Sequence, residues 1–110
     1  MATDVDVRNE LQEIVRAVVD TVQPERIVLF GSRARGDAAA DSDLDILIIA
    51  PSELPRWRRS GPLYLALASL SVPHDIVWWT PEEVAEWSGV QSHFITMALR
   101  EGRVLYDGGH

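Results

Sequence analysis

Two aspartates placed two residues apart could hold a divalent metal ion. Asp43 and Asp45 flank Leu44 at the start of a predicted strand. Alternate residues of a strand point to the same side, about 6.6 Å apart along the chain, so the two carboxylates lie side by side. Their charges repel unless a cation lies between them, and two hard divalent ions about 3.5 to 4 Å apart suit such a pair. An isolated pair of this kind is also common without metal, so the interpretation depends on neighbouring residues.

The residues before this pair favour phosphate binding. Gly31 closes an apolar run and has no side chain, so a phosphate can approach its backbone. Ser32 offers a hydroxyl at the start of a helical turn, where free N–H groups favour an anion. Arg33 and Arg35 add guanidinium groups, each able to bind two phosphate oxygens, with a solvated surface pair as the alternative interpretation. A phosphate site facing an acid pair indicates phosphoryl or nucleotidyl transfer.

A third acid is predicted to join the pair. Asp75 begins a further predicted strand, which runs to Trp79. If this strand pairs beside the one that begins at Leu44, Asp75 lies about 4.8 Å, one strand spacing, from the acid pair. Three carboxylates would then share one edge of the sheet.

The rest of the chain predicts a small body that positions these residues. Apolar spacing and turn signals predict helix 4–22 capped by Thr3, strand 27–30, a turn or short helix over 32–42 and strand 44–49. A second helix begins at Leu63, with Leu67 and Leu70 on the same apolar stripe, and strand 75–79 follows it. The chain then continues with a helix started by Thr80 and Pro81, helix 92–101 and edge strand 104–106. Three prolines between residues 51 and 62 argue against a helix before Pro62. We expect one domain over residues 1–110, of class α+β, with a small mixed sheet and helices mainly on one face.

Composition excludes several functions. The 110 residues carry 17 acidic and 10 basic side chains, a net charge of −7, which argues against binding a nucleic-acid backbone. All ten basic residues are arginine, so lysine chemistry is excluded, and with no cysteine there is no disulfide or thiolate metal site. We expect no signal peptide, and the apolar runs, such as Ile46 to Ala50, are far too short to cross a bilayer. We expect a cytoplasmic protein without a membrane partner.

The motif resembles that of a known family. Gly31-Ser32, ten residues, then Asp43-x-Asp45 is similar to the signature of the DNA polymerase β-like nucleotidyltransferase superfamily, and GSRARGD followed by DSDLDILI resembles its minimal (MNT) branch. Residues 72–77 are similar to the branch's third-acid strand, and residues 99–106 to its C-terminal end. The resemblance covers most of the chain and implies the polymerase β-like fold.

The resemblance also implies a role for each motif residue. The residues implied to bind two Mg²⁺ ions and catalyse the reaction are Asp43, Asp45 and Asp75. Those implied to bind the triphosphate of ATP are Gly31, Ser32 and Arg35, with Arg33 as a further candidate. Asp75 would also help to activate the attacking hydroxyl. The reaction would be in-line attack on the α-phosphate, with release of pyrophosphate and transfer of AMP.

The acceptor is the least constrained part of the prediction. MNT proteins of this size resemble antitoxins paired with HEPN-domain ribonuclease toxins, which implies transfer of AMP to a toxin tyrosine. A domain this small has little room for a second lobe around a small acceptor, so a protein partner could supply that wall. One alternative is a transferase for a small hydroxyl compound or for nucleic-acid ends, although the net acidity disfavours the nucleic-acid version. The other is a non-catalytic antitoxin that acts by contact alone. Self-association into a homo-oligomer is left open.

The aromatic residues have two interpretations. We expect Trp78 and Trp79, within a predicted strand, to lie in the core, whereas Trp57 is a candidate interface anchor. Tyr64 and Tyr106 are interpreted as packing residues, with self-modification by AMP as the alternative. The arginines at positions 56, 58 and 59 are interpreted as a solvated face, with contact to an acidic partner or the nucleotide as the alternative.

Overall fold

The computed structural model describes residues 4–31, 44–59, 61–68, 74–87 and 94–108. Helices and strands alternate irregularly along these ranges. In chain order they are α1 (Asp4–Val22), β1 (Arg26–Phe30), β2 (Leu44–Ile49), α2 (Arg56–Arg59), α3 (Gly61–Ala66), β3 (His74–Trp79), α4 (Pro81–Trp87), α5 (Phe94–Glu101) and β4 (Arg103–Asp107). The strands and the first helix agree with the predicted ones to within one or two residues. Thr3, the predicted cap of α1, and the predicted turn over residues 32–42 lie outside the described ranges.

The four strands form one mixed sheet in the order β3-β2-β1-β4. Strand β1 is antiparallel to both β2 and β4, whereas β2 and β3 run parallel. The short C-terminal strand is at one edge, as predicted. Strand β2 is buried from Ile46 to Ile49 at every position. Because successive side chains of a strand point to opposite faces, this continuous burial means that both faces of the sheet are covered at β2.

Helices cover both faces of the sheet. On one face, α1 and α3 pack against alternate residues of β2, and this cluster includes Leu11, Ile14, Val18, Ile46, Ile48, Leu63 and Leu67. On the other face, α4 and α5 pack against the intervening residues, and this cluster includes Val28, Leu47, Ile49, Trp79, Val84 and Ala98. The predicted fold class, α+β with a mixed sheet, is confirmed. The expectation of helices mainly on one face is wrong, because the apolar residues of β2 require cover on both sides.

The proline-containing segment also differs from the prediction, because it holds a helix before Pro62. Helix α2 precedes Pro62, and Pro62 is the second residue of α3. The first-turn N–H groups of a helix have no intrahelical acceptor, so proline there removes no hydrogen bond. Leu63 and Leu67 are fully buried, as their helical spacing predicts, and Leu70 is outside the described residues.

Thr80 caps the start of α4, as the sequence predicts, and Glu83 completes a capping box with it. The Glu83 N–H donates to Thr80 Oγ1 at 3.2 Å, and the Thr80 N–H donates to Glu83 Oε1 at 2.8 Å. Glu83 also accepts from Arg59, at 2.6 Å from Nη1 and 3.2 Å from Nη2. The Arg59 side chain is only 7% exposed and donates further to the carbonyl oxygens of Leu54 and Trp78. The interpretation of this arginine as part of a solvated face is therefore wrong, since it joins α2 to β3 and α4.

Candidate active site

Two of the three predicted acids lie next to each other. Asp45 of β2 is in register with Asp75 of β3 in the parallel pair. Neighbouring residues in register share a face of the sheet, and alternation with Leu47 and Val77 assigns both acids to the face covered by α4 and α5. The prediction that Asp75 lies one strand spacing from the acid pair is thus confirmed for Asp45. Asp75 is exposed and Asp45 half-buried, so this end of the sheet is open to a ligand.

Gly31 places bare backbone against the first of these acids. It directly follows Phe30, the residue that pairs with Asp45 across β1 and β2. Its φ of 79° is in the left-handed region, which glycine adopts without strain. A Cβ at this position would overlap Asp45 Oδ2 and lie 3.3 Å from Asp45 Cγ. Any side chain here would therefore displace the Asp45 carboxylate, and the left-handed turn favours glycine independently.

The remaining predicted site residues lie outside the described ranges. These are Ser32, Arg33, Arg35 and Asp43, and their roles remain predictions from the sequence. Within the ranges that the structure describes, no group of three or more His, Cys, Asp or Glu side chains could hold a metal ion. The described part of the site contributes the carboxylates of Asp45 and Asp75, whose oxygen donors fit a hard divalent cation such as Mg²⁺.

Tyr64 is a member of the site that the sequence analysis did not place there. Its hydroxyl donates to Asp75 Oδ1 at 3.2 Å and accepts the Ile76 N–H at 2.9 Å. Its ring stacks on the His74 ring, with centroids 6.1 Å apart and planes inclined by 23°. Helix α3 thus presents a phenol at the outer edge of β3. No pattern of neighbouring residues predicts that Tyr64 contacts β3, because this contact depends on how α3 packs against the sheet.

The surroundings of Tyr64 keep its hydroxyl protonated. Partial burial raises the pKa of the phenol above its usual value of 10.0, and the Asp75 carboxylate raises it further. The hydrogen bond from the Ile76 N–H acts in the opposite direction. The phenol is therefore neutral near pH 7 and serves as the donor in its bond to Asp75.

The tryptophans divide between core and surface as expected. Trp78 and Trp79 are buried, and the Trp78 indole N–H donates to the Ala50 carbonyl at 2.9 Å. Trp57 is 83% exposed, and the Arg58 guanidinium lies 5.7 Å from its ring centroid. On α3, next to Tyr64, Leu65 is 80% exposed. The α2–α3 segment therefore carries exposed apolar groups in addition to Tyr64.

Among the described residues, no helix is long and apolar enough to span a bilayer.

Sequence comparison relates the chain to known transferases. Residues 11–105 match the family model for the nucleotidyltransferase domain. Over 53 residues the chain is 36% identical to a candidate protein adenylyltransferase of Methanocaldococcus jannaschii, an alignment that covers 48% of this chain and 52% of the relative. The chain thus spans about half the length of that curated relative.

Solved structures share the fold. A candidate nucleotidyltransferase from Sulfolobus solfataricus superposes with a TM-score of 0.63 at 18% identity, covering 97% of this chain and 91% of the other. A toxin–antitoxin structure with AMP-PNP gives a TM-score of 0.56 at 24% identity, covering 88% and 73%. A tri-AMPylated HEPN toxin of Shewanella oneidensis in complex with an MNT antitoxin gives 0.51 at 21% identity, covering 91% and 71%. At these identities the likeness concerns the fold, whereas the family match extends over most of the sequence, and the chain belongs to the nucleotidyltransferase domain family.

Proposed function

We propose that this chain is a Mg²⁺-dependent adenylyltransferase that moves AMP from ATP to a hydroxyl, and that it acts as an antitoxin by modifying a tyrosine of a HEPN ribonuclease toxin. The observation that carries the proposal is the register of Asp45 with Asp75, with the Gly31 backbone packed against Asp45. Membership of the nucleotidyltransferase family supports the reaction type.

Each site residue has a defined task in this reaction. Asp45 and Asp75, together with Asp43, would hold Mg²⁺, which when bound neutralises charge on the phosphate oxygens. The Gly31 backbone, which lies against Asp45, would approach the phosphate from there, and Ser32 would supply a hydroxyl and an N–H to the same group. Arg35, with Arg33 as a further candidate, would bind phosphate oxygens through the guanidinium.

The hydroxyl of the acceptor would attack the α-phosphorus while the bond to the bridging oxygen of the β-phosphate breaks. Pyrophosphate leaves with that electron pair, and Asp75 takes the proton of the hydroxyl. Because Asp75 is exposed on the edge strand of the described sheet, an acceptor can reach it from solution.

Two observations support a protein as the acceptor. Structures that share the fold include a HEPN toxin in complex with an MNT antitoxin. In this chain, exposed Trp57 and Leu65 lie on the segment that also carries Tyr64, the neighbour of Asp75. Large exposed apolar side chains are typical of interface anchors.

The proposal is tested by incubating the protein with labelled ATP, MgCl₂ and the purified product of a neighbouring HEPN gene. The wild-type chain should place AMP on a tyrosine of that product. Asp45→Asn should lower the rate by about a hundredfold or more, since loss of groups that merely orient metal ligands already costs about 10–100-fold. Asp107→Asn is the matched control, because Asp107 pairs with Arg26 at 3.8 Å on the surface of β4, at the other edge of the sheet.

The alternatives give different results. Neutralisation of the toxin by Asp45→Asn, with no transfer by the wild type, would indicate an antitoxin that acts by contact alone. Transfer to a small alcohol but to no protein would indicate a small-molecule transferase. Transfer that survives Asp45→Asn would refute the assignment of the site.

A further inference from the structure

Tyr64 brings a hydroxyl of this chain to the carboxylate that would take the proton of an acceptor. Its Oη lies 3.2 Å from Asp75 Oδ1, within hydrogen-bond distance. Asp75 in turn is in register with Asp45, and Asp45 touches the backbone of Gly31. The phosphate-binding glycine, the two acids and a phenol therefore follow one another along one end of the sheet.

The bonding of the phenol leaves it able to react. A phenolic oxygen has one proton and two lone pairs. The proton is directed at Asp75 Oδ1, and the Ile76 N–H occupies one lone pair. The second lone pair remains for bond formation, and the residue as a whole is 39% exposed. The contact to Ile76 and the stacking on His74 hold the ring beside Asp75, which is the arrangement that favours attack by proximity.

We propose that Tyr64 is an AMP acceptor, so that the chain adenylylates itself at this residue; the inference rests on the proposed use of ATP. Tyr64 Oη forms a bond to the α-phosphorus of ATP, and the bond from that phosphorus to the oxygen bridging to the β-phosphate breaks. Pyrophosphate leaves with the electron pair of the broken bond. The phenolic proton passes to Asp75 and then to solvent.

The second tyrosine provides an internal control. The chain has two tyrosines, Tyr64 and Tyr106. Tyr106 belongs to β4, at the opposite edge of the sheet from β3, and packs against the core beside α1. Both residues can be changed to phenylalanine, which removes one hydroxyl and leaves the ring.

The test uses the purified chain with ATP and MgCl₂, without any other acceptor. Intact mass spectrometry of the wild type should show addition of one AMP group, and peptide mapping should locate it on Tyr64. Tyr106→Phe should acquire the same adduct, whereas Tyr64→Phe should acquire none. An ATP analogue with a methylene group between the α- and β-phosphorus atoms should yield no adduct with the wild type, since the bond that must break is absent.

Each contrary result has a distinct meaning. An unmodified wild-type chain that still transfers AMP to the HEPN protein would overturn self-modification and leave the proposed function intact. Absence of both transfers would overturn the proposed function as well. An adduct mapped to any residue other than Tyr64 would overturn the site. Because mapping is done on the wild-type chain, the result does not depend on the folding of a variant.

Discussion

The contact between Gly31 and Asp45 makes Gly31→Ala the most informative substitution at the site. Two penalties arise from one added methyl group. Alanine at a φ of 79° incurs the left-handed strain, about 1–2 kcal/mol. The methyl group would also overlap Asp45 Oδ2, so the carboxylate or the turn must move.

The two penalties act on different quantities. Strain in the folded state should lower the free energy of unfolding by about 1–2 kcal/mol. Displacement of a catalytic group by about 1 Å can cost about a hundredfold in rate. We therefore expect Gly31→Ala to remain folded near neutral pH but to transfer AMP about a hundredfold more slowly than the wild type.

Gly61→Ala is the matched control. Gly61 is the first residue of α3, and a Cβ there would meet nothing within 4 Å. Alanine exceeds glycine in helix propensity mainly inside a helix, and at this first position the difference is small, so the variant should be about as stable as the wild type. Its rate of AMP transfer should be that of the wild type.

The assays are urea unfolding for stability and the initial rate of AMP transfer from labelled ATP to the HEPN protein for activity. If Gly31→Ala transfers AMP as fast as Gly61→Ala, the close approach of backbone to Asp45 has no part in catalysis. If Gly31→Ala is slow only because it is unfolded at the assay temperature, the strain at this position exceeds about 1–2 kcal/mol. The urea unfolding curve of the variant shows the larger loss of stability directly.

Two further predictions concern stability. Arg59 lowers the pKa of Glu83 from 4.5 to about 2, so the folded protein gains stability above pH 4.5 and loses it as the pH falls toward 2. Urea unfolding of the wild type should therefore show that the free energy of unfolding decreases by up to about 3 kcal/mol over this pH range. Glu83→Gln should be less stable at pH 7 and should lack this component, and an unchanged pH dependence would contradict the assignment. Trp78→Ala should lower the free energy of unfolding by about 3–5 kcal/mol and Trp57→Ala by less than about 0.5 kcal/mol, since one indole is buried and the other is 83% exposed. Equal losses in chemical denaturation would contradict this division.

Much of the fold was predictable because its signals are local. The apolar spacing over α1, the apolar run of β2 and the capping box at Thr80 each involve residues close in the chain. The Gly-Ser and Asp-x-Asp motif likewise depends on short spacing and identified the reaction class, which the family match supports. Net acidity and the absence of lysine and cysteine excluded whole classes of chemistry without any structure.

The details of the site depended on contacts between distant segments. Strand pairing decided that Asp45, rather than another residue of β2, is in register with Asp75. Packing of α3 on the sheet brought Tyr64 to Asp75, although its spacing predicted only a residue of a helix. Packing of α2 against β3 and α4 buried Arg59 beside Glu83, whereas its neighbours in a basic cluster predicted a solvated side chain.

Residue types and short periodicities were thus sufficient to predict the class of reaction and most of the helices and strands, because both depend on residues close in the chain. Which side chains come into contact depended on the packing of distant segments. Register and helix packing minimise the exposed apolar area of the whole domain, and no local pattern records that outcome. The position of Tyr64 beside Asp75 is a result of this kind, and with it the inference that the chain modifies itself.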